Sequence, residues 1–208
     1  VTNSTVTGNR ASGGIDLAGG ISLANSSAGI YNSTVTGNTT TGSNVSAGGI
    51  LVGAEASASL NIFNSILANN TGTQANMGVF NSNVVAQSNL MGTTLSGLFA
   101  GNGNVFSDAP GLGALANNGG PTLTMLPQPG SPALGAGNAA LIPAGVTTDQ
   151  RGVGYARVVN GSLDLGSVEA AAAPTAVAAT PAPALSRWAM LALAGLLGLF
   201  GLRKRRRT

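Results

Sequence analysis

The charged residues that could perform chemistry gather in one stretch of this sequence: Asp149, Arg151, Arg157, Asp164 and Glu169. Carboxylate oxygens are the ligands that calcium prefers, so the three acids could form a calcium or ligand site. The alternative is a set of ion pairs that holds the surrounding chain in place, because three acids face two arginines. The sequence favours the ion pairs. It assigns no catalytic, cofactor-binding or metal-binding residue.

Few charged residues precede this stretch, and their spacing argues against an active site. Glycoside hydrolysis needs two carboxylates about 5–10 Å apart, and a calcium-dependent lyase needs several acids and a base. Asp16 precedes Ile21 by five residues, whereas Glu55 follows Ile50 by five, so the two acids hold different positions in the pattern. The sequence contains no histidine and no cysteine, which removes the commonest general base and the thiolate metal ligands.

An internal repeat indicates the elements that position these residues. Asn3-Ser-Thr-Val-Thr-Gly-Asn9 returns at 32–38, and weaker copies begin at Asn64 and Asn81, at spacings of 29, 32 and 17 residues. A second motif, Ala18-Gly-Gly-Ile21, returns at 47–50. Repeats of 20–50 residues made of short strands and turns are typical of a solenoid. The sequence therefore predicts an all-β fold, a parallel β-helix with one coil per repeat.

The residue types within the repeat suit such a coil. Asparagine tolerates the left-handed conformation of sharp corners, and stacked side-chain amides can form hydrogen bonds from coil to coil. Ile30 and Val35 are predicted to point into the core, with Ile62 and Ile66 stacked on them in the next coil.

Composition divides the chain into four predicted regions. The coils occupy 1–107, and an irregular C-terminal cap occupies 108–169, because the repeat stops and a solenoid end must be covered. A Pro/Ala-rich linker follows at 170–184 and a sorting signal at 185–208. Because the chain begins at Val1 within a repeat, we expect it to be the C-terminal part of a longer protein.

The C-terminal tail has the pattern of a short membrane span. An uncharged apolar stretch, Trp188–Leu202, precedes a basic run formed by Arg203, Lys204, Arg205, Arg206 and Arg207. A helix of this length rises about 22 Å, less than the roughly 30 Å of the hydrocarbon layer. Basic residues stay on the cytoplasmic side, so the rest of the chain is expected outside the inner membrane.

The charge distribution excludes a nucleic-acid partner. The whole chain carries a net charge of +3, but six of its nine basic residues lie in the tail. The remainder, residues 1–186, carries a net charge of −3 and shows no basic patch with interleaved aromatic residues.

Four motifs in the predicted cap carry a family resemblance: Asn117-Asn-Gly-Gly-Pro-Thr122, Pro129-Gly-Ser-Pro-Ala-Leu134, Thr148-Asp-Gln-Arg-Gly152 and Leu163-Asp-Leu-Gly-Ser-Val-Glu169. In this order, after Asn-Ser-Thr-Val repeats, they resemble choice-of-anchor Q domain surface proteins. The resemblance implies a right-handed parallel β-helix, related in shape to pectate lyases, without an established activity. Gly135 stands where that family usually has an aspartate.

The tail resembles an IPTL-type C-terminal sorting signal. Pro183, Leu185, Ser186 and Trp188 match its pattern, while Ala182, Ala184 and Ala189 stand where the pattern has Ile, Thr and Gly. The resemblance implies processing by an exosortase-type membrane peptidase in a Gram-negative envelope.

Two main functions follow as hypotheses, beside a weaker third, a permanently anchored envelope protein whose tail is not cleaved. The first is an exported β-helix, structural or adhesin-like and not an enzyme, which is held briefly in the inner membrane and then reaches the cell surface or the medium. Its faces would bind glycans or other surface components. The alternative is a carbohydrate-active enzyme of pectate-lyase-like fold whose catalytic coils lie upstream of Val1.

Overall fold

The computed structural model describes residues 1–14, 17–41, 45–53, 57–97 and 99–170. Within these ranges the chain is all-β, with fourteen short strands and a single three-residue 3-10 turn, Ala139–Leu141. The strands are β1 (Thr5–Thr7), β2 (Arg10–Ala11), β3 (Ile21–Leu23), β4 (Ser27–Tyr31), β5 (Thr34–Thr36), β6 (Thr39–Thr40), β7 (Ile50–Val52), β8 (Ser59–Phe63), β9 (Ile66–Ala68), β10 (Met77–Val79), β11 (Asn83–Gln87), β12 (Leu90–Met91), β13 (Leu95–Ser96) and β14 (Val105–Phe106).

Every ladder between these strands is parallel, and sequence neighbours lie in different sheets. The sheets have the orders β1-β5-β9-β12-β14, β13-β10-β7-β3, β11-β8-β4 and β2-β6. The chain therefore passes through each large sheet in turn and returns to the first sheet one strand further along. These parallel sheets fit a β-helix, as the repeat predicts.

The coils shorten toward the C-terminus. At one corner, the backbone N–H of each coil donates to a side-chain oxygen of the next coil. The acceptor lies 29 residues after Ser4, 32 after Ser33, 24 after Ser65 and 15 after Asn89. The first two values equal the spacings of the Asn-Ser motifs, whereas the third coil is 24 residues long and the 17-residue spacing from Asn64 to Asn81 does not correspond to a coil.

The weak repeat at Asn81 belongs to a different corner from the one predicted. Asn81 lies between β10 and β11, where Asn25 lies between β3 and β4, and both adopt positive φ values near 45°. Ser88, with φ 52°, takes the corner position that follows Asn64. Sequence reasoning confused the two corners because both need the left-handed conformation that asparagine tolerates.

The core lies between the sheets and consists of aliphatic residues from alternate strand positions. Ile30 pairs with Ile62, and both are buried in the main cluster, as predicted. Val35 is also in that cluster, but its partner is Leu67. The prediction for Ile66 is wrong: it pairs with Thr34 and points away from the coil interior, because adjacent residues of a strand face opposite sides.

Asparagine shapes both the corners and the ladders. Asn3, Asn32 and Asn64 have φ values of 47°, 46° and 51° at the corner before the five-stranded sheet. A ladder of side-chain amides runs through Asn9, Asn38 and Asn70, in which each Oδ1 accepts bonds from the residue one coil earlier. The predicted coil-to-coil amide bonding is therefore confirmed.

The paired glycines of the Ala-Gly-Gly-Ile motif have a packing role. A Cβ atom built on Gly19 would lie 2.5 Å from Gly48 O, and one built on Gly48 would lie 2.5 Å from Thr71 N. No side chain fits at these distances, so glycine lets successive coils stack at this turn.

The C-terminal segment, defined here as residues 108–170, packs along the side of the coils. Antiparallel bridges such as Leu112 to Pro127 and Thr148 to Ala156 replace long strands in it. Its Ala133 and Leu165 form a second buried cluster with Ile66 and Leu90, which lie on the outer face of the five-stranded sheet. A cap that closed only the end of the coils would not reach this face, so the segment is more than the end cap that the sequence predicts.

Candidate functional site

The described structure ends at Ala170, and the residues that precede it form a buried polar network. The predicted sorting residues, Pro183 to Trp188 and Arg203 to Arg207, lie outside the described residues, so their roles stay predictions. What the structure provides is the point from which the tail departs. The amide of Ala170 donates to Asp164 Oδ2 at 2.8 Å, and the carbonyl of Glu169 accepts from Arg151 Nη2 at 2.7 Å.

Arg157 is the centre of this network. Its side chain is 1% exposed, and its Nη2 lies 2.5 Å from Glu169 Oε1. Its Nη1 donates to Gly166 O at 2.9 Å and its Nη2 to Asp164 O at 2.7 Å. One guanidinium therefore fixes the loop that leads to the tail, both through charge and through two backbone carbonyls.

Arg151 and Asp149 form the second buried pair. Arg151 Nη2 lies 2.6 Å from Asp149 Oδ2, and the guanidinium packs 4.0 Å from the ring centroid of Tyr155. Asp149 Oδ2 also accepts the N–H of Glu169 at 2.9 Å. Glu169 thus connects the two ion pairs: its side chain pairs with Arg157, while its backbone binds Asp149 and Arg151.

Asp164 has a different role from the other two acids of the network: it forms no ion pair with an arginine among the described residues, and its two oxygens accept backbone N–H groups. Oδ1 binds Gly135 N at 2.7 Å and Oδ2 binds Ala170 N. The sequence interpretation that the acids and arginines pair is confirmed for Asp149 and Glu169, whereas Asp164 joins two distant pieces of backbone. Gly135, where the resembling family has an aspartate, has φ +64° at this junction.

Burial changes the acid–base properties of the network. It raises the pKa of Glu169 from 4.5 to about 7, and the charge of Arg157 opposes that rise. The same burial lowers the pKa of Arg157, which its acidic neighbours partly offset. These shifts follow from desolvation, which disfavours the charged form of each group.

The network does not have the composition of a metal centre. In the described part of the chain no group of three or more acid, histidine or cysteine side chains could hold a metal ion. A cavity of about 330 Å³ borders Arg151, Tyr155 and Glu169, but Arg151 is already paired with Asp149 and Glu169 with Arg157. Asp16 and Glu55 lie outside the described residues.

Polar contacts fix the C-terminal segment to several coils at once. Gln150 Oε1 accepts from the Thr5 hydroxyl at 2.6 Å, and Asn3 Nδ2 donates to Thr148 O at 2.7 Å. Further along, Asn64 exchanges two hydrogen bonds with the backbone of Asn138, at 2.8 and 2.9 Å. The C-terminal segment is therefore attached to the first coil and to the third.

A tight approach joins the network to the sheet. Gly166 N donates to Asn64 O at 2.9 Å, and a Cβ atom built on Gly166 would lie 2.7 Å from both Ile66 and Thr34. Its φ of +96° also favours glycine. Since Arg157 binds the carbonyl of this glycine, the guanidinium holds the loop against the coils.

Sequence reasoning found the five charged residues but missed the neutral partners Thr5, Asn64 and Gln150. The contact of Thr5 with Gln150 spans 145 residues, and no local pattern reveals it. The Thr148-Asp-Gln-Arg-Gly motif contained the signal: its Asp and Arg pair with each other, while Thr148 O and Gln150 contact the coils.

Comparison with known proteins identifies the tail. Residues 180–207 match the IPTL-CTERM motif, and this range contains the predicted sorting residues. No curated protein and no solved structure matches the chain. Among the residues that the structure describes, no helix is long and apolar enough to cross a membrane, and the predicted span Trp188–Leu202 lies outside them. The motif indicates a protein that is exported through a C-terminal sorting signal.

Proposed function

We propose that this protein is an exported, non-enzymatic β-helix of the bacterial surface, structural or adhesin-like, which a cleavable C-terminal signal sorts. The observation that carries the proposal is the IPTL-CTERM match at 180–207, which lies directly behind a Pro/Ala-rich linker. An exosortase-type membrane peptidase is the proposed processing partner. The mature protein then lacks the basic tail and reaches the cell surface or the medium.

The fold supports this role, and we propose that it is a right-handed parallel β-helix. Crossover connections between parallel strands of one sheet are right-handed in about 98% of cases. The stacked corner and amide ladders hold the coils together without disulfide bonds, since the sequence has no cysteine. Such a stack suits a rigid projection from a cell.

The buried network supports attachment through the tail. Asp164, Arg151 and Arg157 hold the last described stretch of backbone before the tail, with Asp164 bound to the N–H of Ala170.

The experiment that tests the proposal measures the intact mass of the protein after cell fractionation. We expect a mature species in the surface or medium fraction that ends near Pro183, and a full-length species in the inner membrane of cells that lack the peptidase. The Trp188→Ala variant tests the motif, with Leu196→Ala in the apolar stretch as a control that also removes a large apolar side chain. Full-length protein in the surface fraction of normal cells would overturn the cleavage, and a cytoplasmic protein would overturn export.

A further inference from the structure

One face of the coils is open and uncharged. The outer face of the five-stranded sheet lies under the C-terminal segment, where Ile66 and Leu90 are fully buried. On the four-stranded sheet the outward Leu51 is fully buried as well. On the three-stranded sheet, by contrast, Asn61 and Asn83 are exposed.

The open face forms a regular grid. Because strand residues alternate between faces, β4, β8 and β11 each place three residues outward, and the register aligns them in three rows. The rows are Ser27, Ser59 and Asn83; Gly29, Asn61 and Val85; and Tyr31, Phe63 and Gln87. Every position is uncharged, and hydroxyl, amide and aromatic groups occupy most of them.

The aromatic row is shaped by glycine. A Cβ atom built on Gly29 would overlap the Tyr31 ring, so the ring lies along its own strand over Gly29. The Phe63 ring contacts it edge to face, with centroids 5.6 Å apart. The two half-buried rings meet at an interplanar angle of 65° and provide aromatic surface at one margin of the face.

The opposite margin is concave and polar. A groove of about 310 Å³ is lined by Asn25, Ser27, Ser57, Ser59 and Asn83. The groove and the aromatic row are four positions apart along each strand, a distance of about 13 Å. The exposed side-chain amides of Asn61 and Asn83 make no hydrogen bond with the described residues, so both are free to bind a ligand.

We propose that this face binds an uncharged glycan. An aromatic ring of this margin would pack against the apolar face of a sugar unit, and the free side-chain amides and serine hydroxyls would bind sugar hydroxyl groups. Polyanions are excluded because no cationic group lies on the face to meet them. The proposal deepens the surface role proposed above and rests on it for its biological setting.

The size of the face argues for a glycan over a protein partner. Three strands about 4.8 Å apart and five residues long cover roughly 240 Å². A stable protein interface buries about 800 Å² on each partner and has an apolar centre. The centre of this face is Asn61, which is polar and exposed.

The test measures depletion of the full chain, held in a polyoxyethylene detergent, by microcrystalline cellulose, chitin and starch granules, with heparin-agarose as the polyanion. We expect binding to a neutral polysaccharide that persists in high salt. Asn61→Lys should weaken it at least tenfold, since the new side chain covers the centre of the face. Ser22→Lys is the matched control, because it adds the same charge at an exposed residue of β3 and should change binding less than twofold.

Three results would overturn the proposal. The first is no binding to any of the three neutral polysaccharides, and the second is equal binding by wild type and Asn61→Lys. The third is a dimer, seen by sedimentation, that Asn61→Lys dissociates, because the face would then bind a second copy. None of these results affects the cleavage and fractionation tests, so the two proposals fail separately.

Discussion

Asn38 Nδ2 donates a 3.0 Å hydrogen bond to Asn70 Oδ1, although 32 residues separate the two. The same nitrogen donates to Val6 O at 2.9 Å in the preceding coil. One buried side chain therefore links three successive turns of the chain, and the ladder it belongs to holds the coils in register.

Replacing Asn38 by alanine should lower the free energy of unfolding by about 2–4 kcal/mol. The variant removes the hydrogen bonds of the Asn38 side chain with Asn9 N, Val6 O, Thr36 O and Asn70 Oδ1, of which the last two are buried, and each lost hydrogen bond costs about 0.5–1.5 kcal/mol. Urea unfolding of the full chain measures the change. Asn9→Ala is the matched control: Asn9 is exposed at the end of the ladder, so we expect a loss below about 1 kcal/mol. Equal losses would contradict a structural ladder.

The corners were predictable because their chemistry is local. Few residue types adopt the left-handed conformation, so the asparagines at Asn3, Asn32 and Asn64 indicate the corners directly. The alternation of strand residues predicted Ile30 and Ile62 in the core. The same alternation, applied one residue off, placed Ile66 on the wrong face.

The position of the C-terminal segment was not predictable from local patterns. Its contacts with Asn3, Thr5 and Asn64 cross 145 or 74 residues, and the polar groups that make them also occur throughout the coils. A clue existed in Ile66 and Leu90, which are too apolar for a solvent-facing column. Using this clue requires the register between strands of successive coils. The sequence does not give that register directly, because the last coils are shorter than the first two.

Asp164→Asn should lower the free energy of unfolding by about 1–3 kcal/mol without creating or removing a response to calcium. An asparagine presents one oxygen where the carboxylate presents two, so the N–H of Gly135 or of Ala170 loses its acceptor. Thermal unfolding with and without calcium measures both effects.

The control for Asp164 is Asp108→Asn. Asp108 is exposed and accepts hydrogen bonds from Thr93 across one coil, so its replacement removes the same charge outside the network. We expect a smaller change in melting temperature. A calcium-induced rise in melting temperature that Asp164→Asn abolishes would contradict the ion-pair interpretation.

Glu169 should make the fold less stable as the pH rises from about 4.5 to about 7. Burial raises its pKa to about 7 in the folded state, whereas an unfolded chain titrates near 4.5. Between these values the folded state holds a proton that the unfolded state has released. Linkage then requires the free energy of unfolding to fall with pH through this window. Urea unfolding at several pH values between about 5 and 7 measures the slope.

Glu169→Gln isolates the cause of this slope. The amide does not titrate, so the variant should lose the pH dependence in this window. Above about pH 7 it should also be less stable than the wild type, because Arg157 then lacks the charged partner that ionised Glu169 provides. Asp108→Asn should keep the slope, because the hydrogen bonds from Thr93 lower the pKa of Asp108 below 3.8, outside the window. A slope that survives in Glu169→Gln would show that another group titrates, and the network would then keep its charges paired throughout the window.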